Sequence, residues 1–153
     1  MEPIILASSS PRRQEILKLL NIPFQVIIPN TDETITQGFS PEEASELIAR
    51  QKISEISHSK PMGQEIPWIL SADTIILFNG KLYGKPQSQE EAFNFLKEFQ
   101  GKSHEVLTSI VLYNGKTKET VSKTCRTKVT FAKMSDEEIQ WYLDTGEWHG
   151  ASG

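Results

Sequence analysis

Cysteine is almost absent: Cys125 is the one cysteine in 153 residues. That excludes an internal disulfide and the stapled design of small secreted domains, and it points to a reducing compartment. Long apolar runs are missing too. The opening MEPIILASSS has no basic leader, and its apolar run at 4–7 is too short for a signal peptide or a membrane span. The expectation is a soluble cytoplasmic protein with no membrane partner. A basic excess is also lacking, because 16 Lys and Arg face 20 Asp and Glu for a formal net charge of -4. This argues against a stable nucleic-acid partner bound by bulk electrostatics, so any basic site has to be local. His58, His104 and His149 show no metal-ligand spacing, and with Cys125 they read as structural or surface residues. The chain has no P-loop, no dinucleotide glycine fingerprint and no Gly-x-Ser-x-Gly elbow.

What is present is an ordinary globular composition, 37% hydrophobic and 24% charged, at the usual size of one domain. Residues 4–7 read as a short buried strand. Ser10-Pro11 starts a helix, with Ile16, Leu17, Leu19 and Leu20 expected on its buried face and Asn21 and Pro23 ending it. A second strand is expected over 24–28, then a polar stretch over 29–38. Ser40-Pro41-Glu42-Glu43 is a capping box opening a helix to about residue 56. A loop over 57–67 precedes the strongest strand, 68–78, and Asn79-Gly80 after it predicts a hairpin. Ser88 to Glu91 is a second capping box, for a helix buried through Ala92, Phe93, Phe95, Leu96 and Phe99 and closed by Gly101. Two strands, 104–113 and about 118–131, are expected around a hairpin at Asn114-Gly115, the second half-solvated. Ser135 to Glu138 is a third capping box, for a short helix ending near Gly146. The pattern is α/β, with a mixed twisted sheet flanked by helices.

Chemistry concentrates in a few places. In Leu6-Ala7-Ser8-Ser9-Ser10-Pro11-Arg12-Arg13 an apolar strand runs into three hydroxyls and two arginines at a helix start. Free amides and the helix dipole favour anions there, and guanidinium forks suit phosphate oxygens. The same segment also reads as a capped helix with solvated arginines, or as a Ser-Pro-basic motif of minor-groove tails, although those tails are basic and disordered. Asp73 lies within a nearly all-apolar strand, where a carboxylate needs a cation, a metal or hydrogen bonds. It suits a metal ligand or a general base, and also a bulge that bonds backbone amides. Asp32 and Glu33 pair two carboxylates suited to a hard divalent ion, or to solvation in a loop. Lys52 falls on or beside an apolar helix face, and Lys85 lies in the tight Tyr83-Gly84-Lys85-Pro86 loop.

Taken together, LASSSPRRQEIL, ARQK, SADTIILFNGKLYGKP and GKSHEVLTSI closely resemble the Maf family of nucleoside triphosphate pyrophosphatases. The resemblance implies a fold similar to the inosine triphosphatase type. It also implies a house-cleaning hydrolase that releases pyrophosphate from nucleoside triphosphates with a divalent metal (Mg²⁺ or Mn²⁺), and a homodimer. By the same resemblance Ser8, Arg12, Arg13, Lys52 and Lys85 hold the triphosphate, Glu33 and Asp73 bind the metal, and Asp73 accepts the proton of the attacking water. Arg12, where a Trp marks the 7-methyl-GTP group, and Thr74 after Asp73 point to dTTP and UTP. Family members are linked to inhibition of septum formation, so the rival reading is a non-catalytic nucleotide-binding regulator of division. Members also continue past GEWHGASG with an Ile-Gln-Gly segment whose Gln selects the base. A single domain over 1–153 lacking its C-terminal portion is therefore the expectation.

Overall fold

A computed structural model of the chain describes residues 1–35, 38–59, 65 and 67–152. Its elements are β1 (Ile4–Ala7), α1 (Pro11–Leu19), β2 (Phe24–Val26), α2 (Pro41–Ser59), β3 (Ile69–Phe78), β4 (Lys81–Tyr83), α3 (Gln89–Phe99), β5 (Ser103–Tyr113), β6 (Thr120–Thr130) and α4 (Asp136–Asp144). The strands form one sheet in the order β2-β1-β3-β5-β6, with β4 on β3. β1 runs parallel to both β2 and β3, whereas β3 and β4 are antiparallel. The sheet is therefore mixed and the class α/β, as the pattern predicts. Most of the loop expected over 57–67 lies outside the described residues, as do positions 36 and 37 of the polar stretch. No helix among the described residues is long and apolar enough to cross a membrane.

Helix starts follow from local chemistry. Ser10, Ser88 and Ser135 each accept a hydrogen bond from the backbone N–H three residues on. At α2 the exchange is reciprocal, with Glu43 N–H donating to Ser40 Oγ and Ser40 N–H to Glu43 Oε2, both at 3.2 Å. At α3 the box is half made, since Glu91 Oε2 accepts from Gln87 N–H rather than from Ser88. Asn21 takes the left-handed conformation after α1 (φ 55°) and Gly101 does so after α3 (φ 66°), the usual way to close a helix.

By contacts the chain divides into two units, Met1–Asp73 with Ser109–Thr124, and Thr74–Thr108 with Cys125–Gly153. In the first, Ile5, Ala7, Ala49, Ile53, Ile56, Ile69 and Val111 form the core. Ala49, Ile53 and Ile56 recur at helical spacing, so Lys52 on the same face is drawn inward with them. Ser71 Oγ donates to the Ala49 carbonyl at 2.6 Å and ties β3 to α2. In the second unit Ala92, Leu96, Ile139 and Leu143 form one cluster and Ile76, Tyr83 and Phe99 another. The Tyr83 hydroxyl donates to Glu98 at 2.6 Å, and burial with that bond pushes its pKa up to about 12.

Three expectations are corrected. On α1 only Leu17 is buried, while Ile16, Leu19 and Leu20 are exposed. The helix is two and a half turns long and buries only the Leu17 position, so the neighbouring apolar positions face out. β6 is exposed along most of its length rather than half-solvated, because it is an edge strand of the sheet. The β5–β6 connection is longer than an Asn-Gly pair. Asn114 N–H donates to the Glu119 carbonyl, the Asn114 side chain accepts from Lys116 and Thr117 N–H, and the left-handed residue is Lys118 (φ 61°). The Asn side chain organises a wider turn in the way such residues do.

Candidate active site

β1 ends at Ala7 and delivers Ser8 into a buried position before the first turn of α1. Ser8 Oγ accepts from Ser10 N–H at 3.1 Å and from Arg13 Nη1 at 3.3 Å. Arg13 Nη1 also donates to the Ala72 carbonyl at 3.0 Å. Arg12 and Arg13 are about 100° apart around the helix, and their fates differ: Arg12 is exposed and Arg13 is partly buried. Burial lowers the Arg13 pKa from its ordinary value, the charges of Asp73 and Glu33 raise it, and Arg12 lowers it slightly. A guanidinium stays cationic under such opposing influences.

Lys52 arrives from α2 at the same carbonyl. Its Nζ donates to Ala72 O at 3.0 Å, lies 2.8 Å from Glu33 Oε1 and 3.6 Å from Asp73 Oδ1. Lys52 is 3% exposed and Asp73 4%, so the carboxylate that the apolar strand made conspicuous has its cation. The carboxylate pair expected in the loop is split. Glu33 turns inward to Lys52, while exposed Asp32 accepts from the N–H and hydroxyl of Thr34, which hold its pKa below the ordinary carboxylate value.

Thr74 and Lys85 belong to the second unit. The Thr74 hydroxyl is 2.9 Å from that of Thr108, and its carbonyl accepts from Ser152 Oγ at 2.9 Å. Lys85 is partly buried, and its carbonyl accepts from the Gln87 side chain at 3.2 Å. Of the predicted site residues, Ser8, Arg13, Glu33, Lys52 and Asp73 thus form one connected cluster, with Arg12 at its solvent side. Cys125 and His58 are exposed, whereas His104 is buried.

Comparison with known proteins matches residues 3–153 to the Maf-like protein family. The chain belongs to the Maf-like family. It is 42% identical over 147 residues to a dTTP/UTP pyrophosphatase of Halalkalibacterium halodurans, covering 96% of this chain and 74% of that protein. It is 43% identical over 147 residues to one of Symbiobacterium thermophilum (96% and 73%), and 35% identical over 153 residues to one of Pelotomaculum thermopropionicum (100% and 78%). Among solved structures, protein VC0702 from Vibrio cholerae is similar at a TM-score of 0.46 and 10% identity, covering 97% of this chain and 71% of that one.

The metal that Maf-like membership implies can be set against these residues. No group of three or more His, Cys, Asp or Glu that could hold a metal ion occurs among the described residues. Glu33 and Asp73 nevertheless converge on one positive centre, the Lys52 ammonium. Ions such as Mg²⁺ take one or two carboxylates and complete their shell with water and substrate phosphate. The donor set fits an ion of that kind. Sequence reasoning missed two participants. The Ala72 carbonyl carries no side-chain signature, yet Arg13 and Lys52 both donate to it. Glu55 accepts from Asn30 N–H at 2.8 Å and from the Thr31 hydroxyl at 2.6 Å, and its place one turn after Lys52 was available as a clue.

Proposed function

We propose that this Maf-like protein hydrolyses dTTP and UTP to the nucleoside monophosphate and pyrophosphate, as a cytoplasmic house-cleaning enzyme that acts on free nucleotides and works as a homodimer. The observation that carries the reading is the convergence of Arg13 and Lys52 on the Ala72 carbonyl, with the Asp73 carboxylate buried beside Lys52. Two cations held so close can bind the phosphates of a nucleotide and offset charge as the pyrophosphate leaves. Ser8 and Arg12 add a hydroxyl and a guanidinium at the α1 start, and Lys85 is assigned to the triphosphate by the family resemblance alone. Asp73 accepts the proton of the water that attacks the α-phosphorus; the bond to the bridging oxygen breaks, and pyrophosphate departs with its electron pair. Glu33 and Asp73 would hold Mg²⁺ or Mn²⁺, which supplies further neutralisation of phosphate charge when bound. Thr74 and Arg12 are the residues assigned to base preference.

A protein that only bound nucleotides would gain nothing from turning two carboxylates toward the phosphate grip, because they repel the ligand. The test is product analysis with dTTP, UTP, CTP, 5-methyl-UTP and 7-methyl-GTP. Pyrophosphate and monophosphate from dTTP and UTP are expected. Orthophosphate as the product, or hydrolysis of none of the panel, would refute the proposal.

A further inference from the structure

Residues 27–35, which bring Glu33 to Lys52, carry no helix or strand, so something else must hold them. The side chain that does so is Glu55. Both of its carboxylate oxygens are engaged, Oε1 by Asn30 N–H at 2.8 Å and Oε2 by the Thr31 hydroxyl at 2.6 Å. Lys52, three residues earlier on α2, engages the same segment at Glu33. Side chains three apart on a helix start about 5–6 Å apart, and residues two apart in an extended chain span at most about 7 Å. The spacing of the two grips therefore matches on helix and loop, and Glu55 and Lys52 clamp residues 30–33 along one turn of α2.

We propose that Glu55 is a positioning residue for Glu33, an inference that rests on the phosphate-and-metal reading of the site given above. Glu55 touches no reacting group. It holds Asn30 and Thr31 so that the partly exposed Glu33 carboxylate points at Lys52 instead of at solvent. A carboxylate suits the task because it offers only acceptors and so takes the Asn30 N–H and the Thr31 hydroxyl proton at once.

The test is a double-mutant cycle on the full chain, with Glu55→Ala, Glu33→Ala and both together, read by kcat/KM for dTTP and by hydrogen exchange of the Asn30 amide. Glu55→Ala should lower kcat/KM by about tenfold and speed Asn30 exchange. The double variant should be no slower than Glu33→Ala, since a residue that acts through another has nothing left to position. Thr31→Val should follow Glu55→Ala in part, and Thr31→Ser should restore wild-type behaviour. Losses that multiply in the double variant would overturn the assignment, as would an Asn30 exchange rate unchanged by Glu55→Ala. If the wild-type chain hydrolyses no nucleotide, the reading of the site fails, and Asn30 exchange then decides on its own whether Glu55 holds the segment.

Discussion

Lys52→Met keeps the apolar stem of the side chain and removes its charge. What remains is a buried Asp73 carboxylate with Glu33 turned toward it, and an Ala72 carbonyl left with Arg13 as donor. Removing one partner of a buried ion pair costs about 3–5 kcal/mol, because the other charge stays buried without its counter-ion. Arg13 interacts with both carboxylates and softens the loss, so the lower end, about 3 kcal/mol, is expected. With a urea m-value of about 2 kcal/mol/M the midpoint should fall by roughly 1.5 M in equilibrium unfolding followed by far-UV circular dichroism. Lys52→Met combined with Asp73→Asn should recover most of that stability, since the neutral amide is no uncompensated charge. A loss below about 1 kcal/mol, the range of exposed pairs, would refute the argument, as would a double variant no more stable than the single one.

His104 is buried between Phe99 and Phe131, with ring centroids at 4.9 and 4.8 Å, and burial holds its pKa below the ordinary histidine value. The unfolded chain therefore binds a proton first as pH falls. Stability should be full above about pH 6.5 and decline below it, a slope that His104→Phe should flatten in urea titrations between neutral and acid pH. Gly101→Ala should cost about 1–2 kcal/mol from the left-handed backbone alone, with Lys133 Cγ 3.0 Å from the added Cβ making it worse; a change in thermal midpoint near zero would contradict this. Lys97→Ala removes an exposed pair with Asp136 and should change stability by less than about 0.5 kcal/mol, which denaturant melts would check.

Where chemistry is local, the chain announces its structure. Ser-x-x-Glu at three helix starts, Asn79-Gly80 before β4 and the apolar run of β3 all appear where expected, because caps, turns and strands are decided by neighbours in sequence. Lys52 was readable for the same reason, its position among Ile48, Ala49 and Ile53 putting it on a buried face. Exposure on α1 and β6 was not readable, since it depends on what the rest of the chain packs against each element, and for β6 on its place at the sheet edge. Nor could local chemistry separate Arg12 from Arg13 or Asp32 from Glu33, although the family resemblance singled out Glu33. Each pair differs only in what lies across from it, the Ala72 carbonyl for Arg13 and the Lys52 ammonium for Glu33, and those partners come from other elements of the chain.

The most direct test of the site is a paired measurement on Asp73→Asn, comparing pyrophosphate release from dTTP with the dissociation constant for the nucleotide. Loss of a general base costs about 10²–10⁴ in rate, so release should fall by at least a hundredfold while nucleotide binding stays within a few fold of wild type. Release within tenfold of wild type would remove Asp73 from the chemistry and contradict the account.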